Sequence, residues 1–312
     1  MPTSPEPMDN NSNDAIFLSV DVEDEQVLVS DKLRVWPLFV LCLVELAFVS
    51  TLQGIAAVVI LFTTRVDGQS IQDAARDLPT RLMEPPLFVL MIILSGFSIT
   101  TGALLFGWIS AKHSHSSVVE RLGLRWPPIS TLSLVGFLLG SVPVLLASVG
   151  VVILIERVIP GDESVLALYK NMTNGWAVVF IILIGVLPGF SEELFFRGFF
   201  QRRMLQRYRP WVAIGATSLV FGLFHVTPHG IALATIIGVW LGAIAWRTNS
   251  IWPGACCHAF INSGWNIYQV GRFQWGLPEI PPAWFSVIGG TVVLGAYAWS
   301  VRTLLKTSSD ST

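Results

Sequence analysis

Six side chains in the second half of the chain have the types and spacing to hydrolyse an amide: Glu192, Glu193, Arg197, His225, His258 and Asn262. The two glutamates close an apolar run that begins near Trp176. A charged side chain at the centre of a spanning helix costs roughly 2.5–3.5 kcal/mol on insertion scales. Such a cluster is expected to face the protein interior and to do something there. Glu193 and Arg197 are four apart, so on a helix they share a face and can pair. Glu192 is turned by about 100° and is free to point elsewhere. The bland alternative is a structural ion pair in which both carboxylates serve Arg197. His225 ends Phe221-Gly222-Leu223-Phe224-His225, with the Phe221 ring one turn away on the same face. His258 opens His258-Ala259-Phe260-Ile261-Asn262, so His258 and Asn262 also share a face. Any one of these histidines alone is better read as a hydrogen-bonded core residue. Together, from three apolar segments within 71 residues, the set supplies a general base, a second proton handler and two donors for a developing oxyanion.

Positioning such groups requires spans. The 312 residues are 53% hydrophobic and 13% charged, against about 25% charged in an ordinary soluble domain. The expected class is an all-α, polytopic transmembrane helix bundle. Runs of about 20 apolar residues, long enough to cross a bilayer, fall near 36–63, 86–110, 131–155, 174–196, 211–227, 231–246, 251–270 and 282–304. That makes about eight spans, with six or seven plus a re-entrant segment as the alternative. Four regions follow: an acidic, disordered cytoplasmic tail over 1–32, the first three spans within 33–173, a catalytic helical core over 174–270, and a last span with a short tail over 271–312. The loops 64–85 and 156–173 read as amphipathic or irregular. With the N-terminus inside, twelve Lys and Arg lie on the inner side and six on the outer, which favours both termini in the cytoplasm. The cluster Arg202, Arg203, Arg207 and Arg209 then anchors the inner surface, and nucleic acid is not an expected partner. The first 35 residues show no apolar signal region, and Ser308 to Thr312 carry no prenylation signal.

Other chemistries can be tested by pattern. No aspartate lies between Asp162 and Asp310, which excludes a two-aspartate site in the later spans. Neither His-Glu-x-x-His nor Gly-x-Ser-Gly occurs. Ser191 follows Pro188 and is expected to help start a helix segment. His113 and His115 fall in a Ser-rich polar loop, and His229 in a Pro228 turn facing solvent. Cys42, Cys256 and Cys257 fit no zinc spacing and read as small buried hydrophobes. Glu45 and Gln53 in the first span are expected to bond across helices. Gly96, Gly102, Gly136, Gly140 and Gly150 read as close-packing positions, and Trp36, Trp108, Trp126, Trp211, Trp252 and Trp284 as an interfacial belt. What survives is water activated by Glu and His, with or without a metal. A non-enzymatic immunity factor or scaffold, and a proton-coupled transporter, remain as alternatives, although no internal repeat is evident.

The motifs resemble those of the CPBP (CAAX protease and bacteriocin-processing, or abortive-infection) membrane endopeptidases. That family's patterns are Glu-Glu-x-x-x-Arg, Phe-x-x-x-His and His-x-x-x-Asn or Asp. Here they read Glu192-Glu193-Leu194-Phe195-Phe196-Arg197, Phe221 to His225, and His258 to Asn262. The turn Arg247-Thr248-Asn249-Ser250-Ile251 is also similar, and the resemblance covers roughly 175–265. It implies cleavage of a membrane-associated protein or peptide, with Glu192 and His225 activating water. By the same resemblance His258 and Asn262 stabilise the oxyanion, and Glu193 with Arg197 braces the motif. His258 could instead join Glu192 and His225 as a zinc site, since catalytic zinc typically takes three protein ligands and an open position. Metal-free Glu–His activation is the preferred expectation, because the two histidines arise on separate spans.

Overall fold

The structure is a computed structural model, described over residues 34–112, 116–161 and 164–278, with 298 and 302. Eleven helices and one π-helical stretch make up these residues, and no strand occurs among them. They are α1 (Trp36–Thr63), α2 (Ile71–Leu82), α3 (Pro85–Lys112), α4 (Val118–Arg121), α5 (Thr131–Glu156) and α6 (Ser164–Asn171). After these come α7 (Asn174–Glu192), the π stretch Glu193–Gln201, α8 (Arg202–Leu205), α9 (Pro210–Leu223), α10 (Pro228–Thr248) and α11 (Trp252–Gln274). Five segments are long and apolar enough to cross a membrane: α1, α3, α5, α10, and the continuous run from Asn174 to Leu205. α9, at 14 residues, is shorter than a crossing and α11 does not meet the same criterion, yet with them the helices fall where the first seven spans are expected. The eighth, 282–304, the acidic tail 1–32, and His113 with His115 lie outside the described residues, save for helical positions 298 and 302.

Local sequence explains where the helices start. Ser70, Ser117, Ser130 and Thr227 each accept a hydrogen bond from a backbone N–H in the first turn of the helix that follows, meeting a donor the helix cannot satisfy itself. At the far end of α10, Asn249 takes φ 49°, a left-handed cap that asparagine tolerates. The loop 64–85 contains the polar helix α2, whose Arg81 donates to the Thr64 carbonyl at 2.5 Å.

α7 and its π continuation lie at the centre of the bundle. They pack against α3 on one side and α11 on the other, while α10 leans on α5 and α9. α1 packs on α3 and leaves much of its apolar surface outward, with Leu43, Ile55 and Phe62 more than half exposed. That surface is what lipid would cover. The basic end is tied by polar contacts. Arg202 donates to the Asn249 side-chain oxygen (2.6 Å) and the Glu120 carbonyl (3.0 Å), Ser250 to the Arg125 carbonyl (2.8 Å), and the Trp252 indole to the Leu124 carbonyl (2.7 Å). At the opposite end Tyr169 donates to Asn266 (2.6 Å), and His229 Nε2 donates to the Ile159 carbonyl (3.0 Å), a partner the solvent-facing expectation did not foresee.

One local expectation fails. Ser191 does not start a helix: it is fully buried inside α7, its hydroxyl donating to the Leu187 carbonyl at 2.9 Å. Pro188 lies inside the same helix. Its ring removes the N–H that would have met the Ile184 carbonyl, and the side-chain amide of Asn262 donates to that oxygen at 3.3 Å. Neighbouring helices commonly repair a proline break in this way within a membrane.

Candidate active site

The site is built on the π stretch, every residue of which from Glu193 to Gln201 is buried. The wider coil of i→i+5 bonding is rare and frequent at functional positions. It carries two charges inward. Glu193 and Arg197 are both enclosed, with Arg197 Nη1 2.7 Å from Glu193 Oε1. Arg197 also donates to the Gly238 carbonyl at 3.2 Å and lies over the Phe221 ring, 4.4 Å from its centroid. Each partner matters, because an enclosed guanidinium without compensation costs several kcal/mol. Gly254 on α11 leaves room for the carboxylate: a Cβ there would stand 3.1 Å from Glu193 Oε2.

His258 continues the chain of contacts. Its Nδ1 is 3.1 Å from Glu193 Oε1, and its Nε2 is 3.8 Å from Glu192 Oε2. A carboxylate that is paired with Arg197 accepts, so Nδ1 carries a hydrogen, and in the neutral imidazole Nε2 then has its lone pair on the side of Glu192. The order is therefore Arg197, Glu193, His258, Glu192, the same logic by which a buried acid orients a catalytic imidazole. Glu192 is the open end of this chain, with its side chain 19% exposed. Its Oε2 has no hydrogen-bond partner among the described residues, and 3.8 Å is beyond hydrogen-bond length.

Phe221 joins the second motif to the third. Its ring meets His225 edge-on at 5.0 Å and His258 edge-on at 5.8 Å. His225 Nδ1 is 3.1 Å from the Phe221 carbonyl. A carbonyl only accepts, so Nδ1–H donates and Nε2 is an acceptor. The residue after it, Val226, holds φ 61°, and Thr227 N donates to His225 O at 2.6 Å, closing a γ-turn. A β-branched residue at positive φ is strained, and this strain sits beside a candidate catalytic group.

Of the six residues singled out from sequence, Glu192, Glu193, Arg197 and His258 come together directly. His225 and His258 each meet the Phe221 ring. Beside Glu192 stands His258, where the sequence pairing had His225. Asn262 directs one amide hydrogen at Ile184 and so is committed in part to the backbone. Among the described residues no three of His, Cys, Asp and Glu are grouped as a metal would require. The set Glu192, His225 and His258 is therefore not gathered as a zinc site would need in this arrangement. Gly238, Gly254 and Pro188 belong to the site as well. Only the density of glycine in apolar spans hinted at the first two, and the proline was visible but not its repair by Asn262.

Residues 174–264, under a third of the chain, match the family model of the Rce1-like type II CAAX prenyl endopeptidases. That segment is similar to the CAAX-protease, or CPBP, family. No curated protein matches the chain, and no solved structure does. The matched segment runs from the start of α7 through His258 and Asn262 on α11, so all three motifs lie inside it. The match and the five apolar segments among the described residues support an integral membrane protein whose matched segment is similar to a hydrolase family. α1 to α6 lie outside the matched segment.

Proposed function

We propose that the protein is an intramembrane endopeptidase in which one water, held between Glu192 Oε2 and His258 Nε2, attacks a peptide carbonyl. The observation that carries this reading is the 3.8 Å between those two atoms. A water at about 2.8 Å from each, an ordinary hydrogen-bond length, bridges them while giving one hydrogen to each and keeping a lone pair for the carbonyl. Glu193 and Arg197 are the positioning pair, fixing the His258 tautomer so that Nε2 accepts.

In the reaction Glu192 takes the water proton as the C–O bond forms, and the carbonyl oxygen becomes an oxyanion. Asn262 has a second amide N–H beyond the one given to Ile184, and it is the proposed donor to that oxygen. Collapse of the tetrahedral intermediate breaks the C–N bond, and the proton on Glu192 passes to the leaving amine. His225, with Nε2 as acceptor, holds the substrate N–H. With both termini cytoplasmic, the basic end bearing Arg202 to Arg209 lies at the inner surface. The substrate is then a protein or peptide presented from the membrane or from its cytoplasmic face.

The test is Glu192→Gln, which keeps the shape and removes the base. Purified wild type and variant are reconstituted in vesicles with an internally quenched apolar peptide. The expected result is a fall in hydrolysis of about 10²-fold or more with an unchanged unfolding midpoint. Cleavage by the variant at the wild-type rate would refute the assignment.

A further inference from the structure

Glu192 also lines a cavity of about 280 Å³ between α1, α3 and α7, near the lower end of the roughly 300–1,000 Å³ typical of small-ligand sites. Its walls are largely apolar, including Phe88, Ile92 and Pro188. Its polar lining, besides Glu192 and a Ser191 hydroxyl committed to the Leu187 carbonyl, is a pair from the first two spans. The Gln53 side-chain amide donates to Ser95 Oγ at 2.6 Å. That contact uses one amide hydrogen and one hydroxyl lone pair. It leaves the Gln53 Oε1 acceptor and the Ser95 O–H donor without a described partner. No lysine, arginine or histidine lines the space.

We propose that this cavity is the binding site for an extended apolar peptide segment next to the scissile bond, with Gln53 and Ser95 pairing with its backbone as specificity-determining residues. The inference rests on the endopeptidase reading and deepens it. The argument is one of chemical complement. A peptide in an apolar surround brings a C=O and an N–H that must both be satisfied, and Ser95 O–H with Gln53 Oε1 offers one partner to each. An acyl chain would bury both polar groups against methylenes. A free C-terminal carboxylate would face Glu192 with no cation to offset it, so the segment is internal rather than terminal. The cavity is too small for a helix about 10 Å across, so the segment enters unwound, as a peptide bond must be to expose its carbonyl to water. These contacts come from α1 and α3, outside the segment 174–264 that matches the family. Substrate choice is thereby assigned to the spans that the family match leaves out, and the chemistry to those it covers.

The experiment is photo-cross-linking in phosphatidylcholine vesicles, with full-length Glu192→Gln protein so that the probe is not consumed. Phe88 or Ile92 is replaced by p-benzoylphenylalanine, with the 63%-exposed Phe97 of the same helix as control. The probe is a biotinylated decapeptide of leucine and alanine. Labelling is expected from positions 88 and 92 and not from 97. It should fall about three- to tenfold with Gln53→Leu or Ser95→Ala and persist under excess oleic acid. In the otherwise wild-type enzyme the same two substitutions should raise KM by that factor and leave kcat in place, while loss of the inter-helix bond lowers the unfolding midpoint only slightly. Equal labelling from 97, loss of labelling to oleic acid, or undiminished labelling in both polar variants would each overturn the proposal. The last would leave the pair as a tie between helices. Hydrolysis by wild type against Glu192→Gln reads the endopeptidase assignment separately, so either claim can fail while the other stands.

Discussion

Asn262 is the residue at which stability and chemistry are most easily confused, and a double-mutant cycle with Pro188 separates them. Asn262→Ala removes the amide that meets the Ile184 carbonyl at 3.3 Å. An unsatisfied buried carbonyl costs about 1–3 kcal/mol. The contact is long, so the lower half of that range applies and a loss of about 1–2 kcal/mol is expected. Pro188→Ala restores the backbone N–H that a helix would aim at the same oxygen. In the Pro188→Ala background, Asn262→Ala should then cost close to nothing, giving a coupling of about 1–2 kcal/mol between two residues on different helices. The assay is the unfolding midpoint of the four proteins in detergent, with hydrolysis of the quenched peptide measured in parallel. If activity stays lost in the double variant while stability returns, the second amide N–H acts on the substrate. If Asn262→Ala costs the same in both backgrounds, the amide does not repair the proline break and the reasoning is refuted.

Further outcomes can be checked with similar means. Arg197→Met leaves Glu193 enclosed without its partner and should lower stability by about 3–5 kcal/mol; a variant as stable as wild type would show that the pair is dispensable. Val226→Asn places a residue that tolerates positive φ at the γ-turn and should raise stability by about 1 kcal/mol, read as a higher unfolding midpoint. Gly102→Ala would drive a Cβ into the Glu45 carboxylate. Overpacking of that kind costs about 1–3 kcal/mol, and adding Glu45→Ala should recover most of it. For orientation, Asp67→Cys and Gln206→Cys lie exposed at opposite ends of the bundle. With the three native cysteines replaced, a membrane-impermeant maleimide should label position 67 in intact cells and position 206 only after permeabilisation; the reverse order would invert the topology.

Span positions were legible because hydropathy is a property of single segments. α1, α3, α5 and α10 begin and end within about three residues of the apolar runs that announced them. The Glu193–Arg197 pair was legible too, because a charge in an apolar run must find a partner close in sequence or not at all. Three features were not. Nothing local in Leu194-Phe195-Phe196 distinguishes a π coil from an α coil, since both bury the same side chains. Pro188 suggested a helix start at Ser191 because a proline break is costly in isolation, yet the compensating donor lies 74 residues away on α11. The partner of Glu192 depended on which helix packs against α7. That helix is α11, which brings His258, while α9 packs chiefly on α10 and its following residue His225 meets the Phe221 ring.

The π stretch has a consequence for how this protein tolerates change. A π turn holds about one residue more than an α turn, so the extra residue is taken up in the width of the coil and the segments on either side keep their facing. Deleting Phe195 or Phe196 would let the coil tighten toward an α turn and bring Glu193 and Arg197 from four apart to three, a spacing that still shares one helix face. The stretch can thus lose a residue and keep its ion pair, at the expense of the aromatic packing that the lost ring supplied.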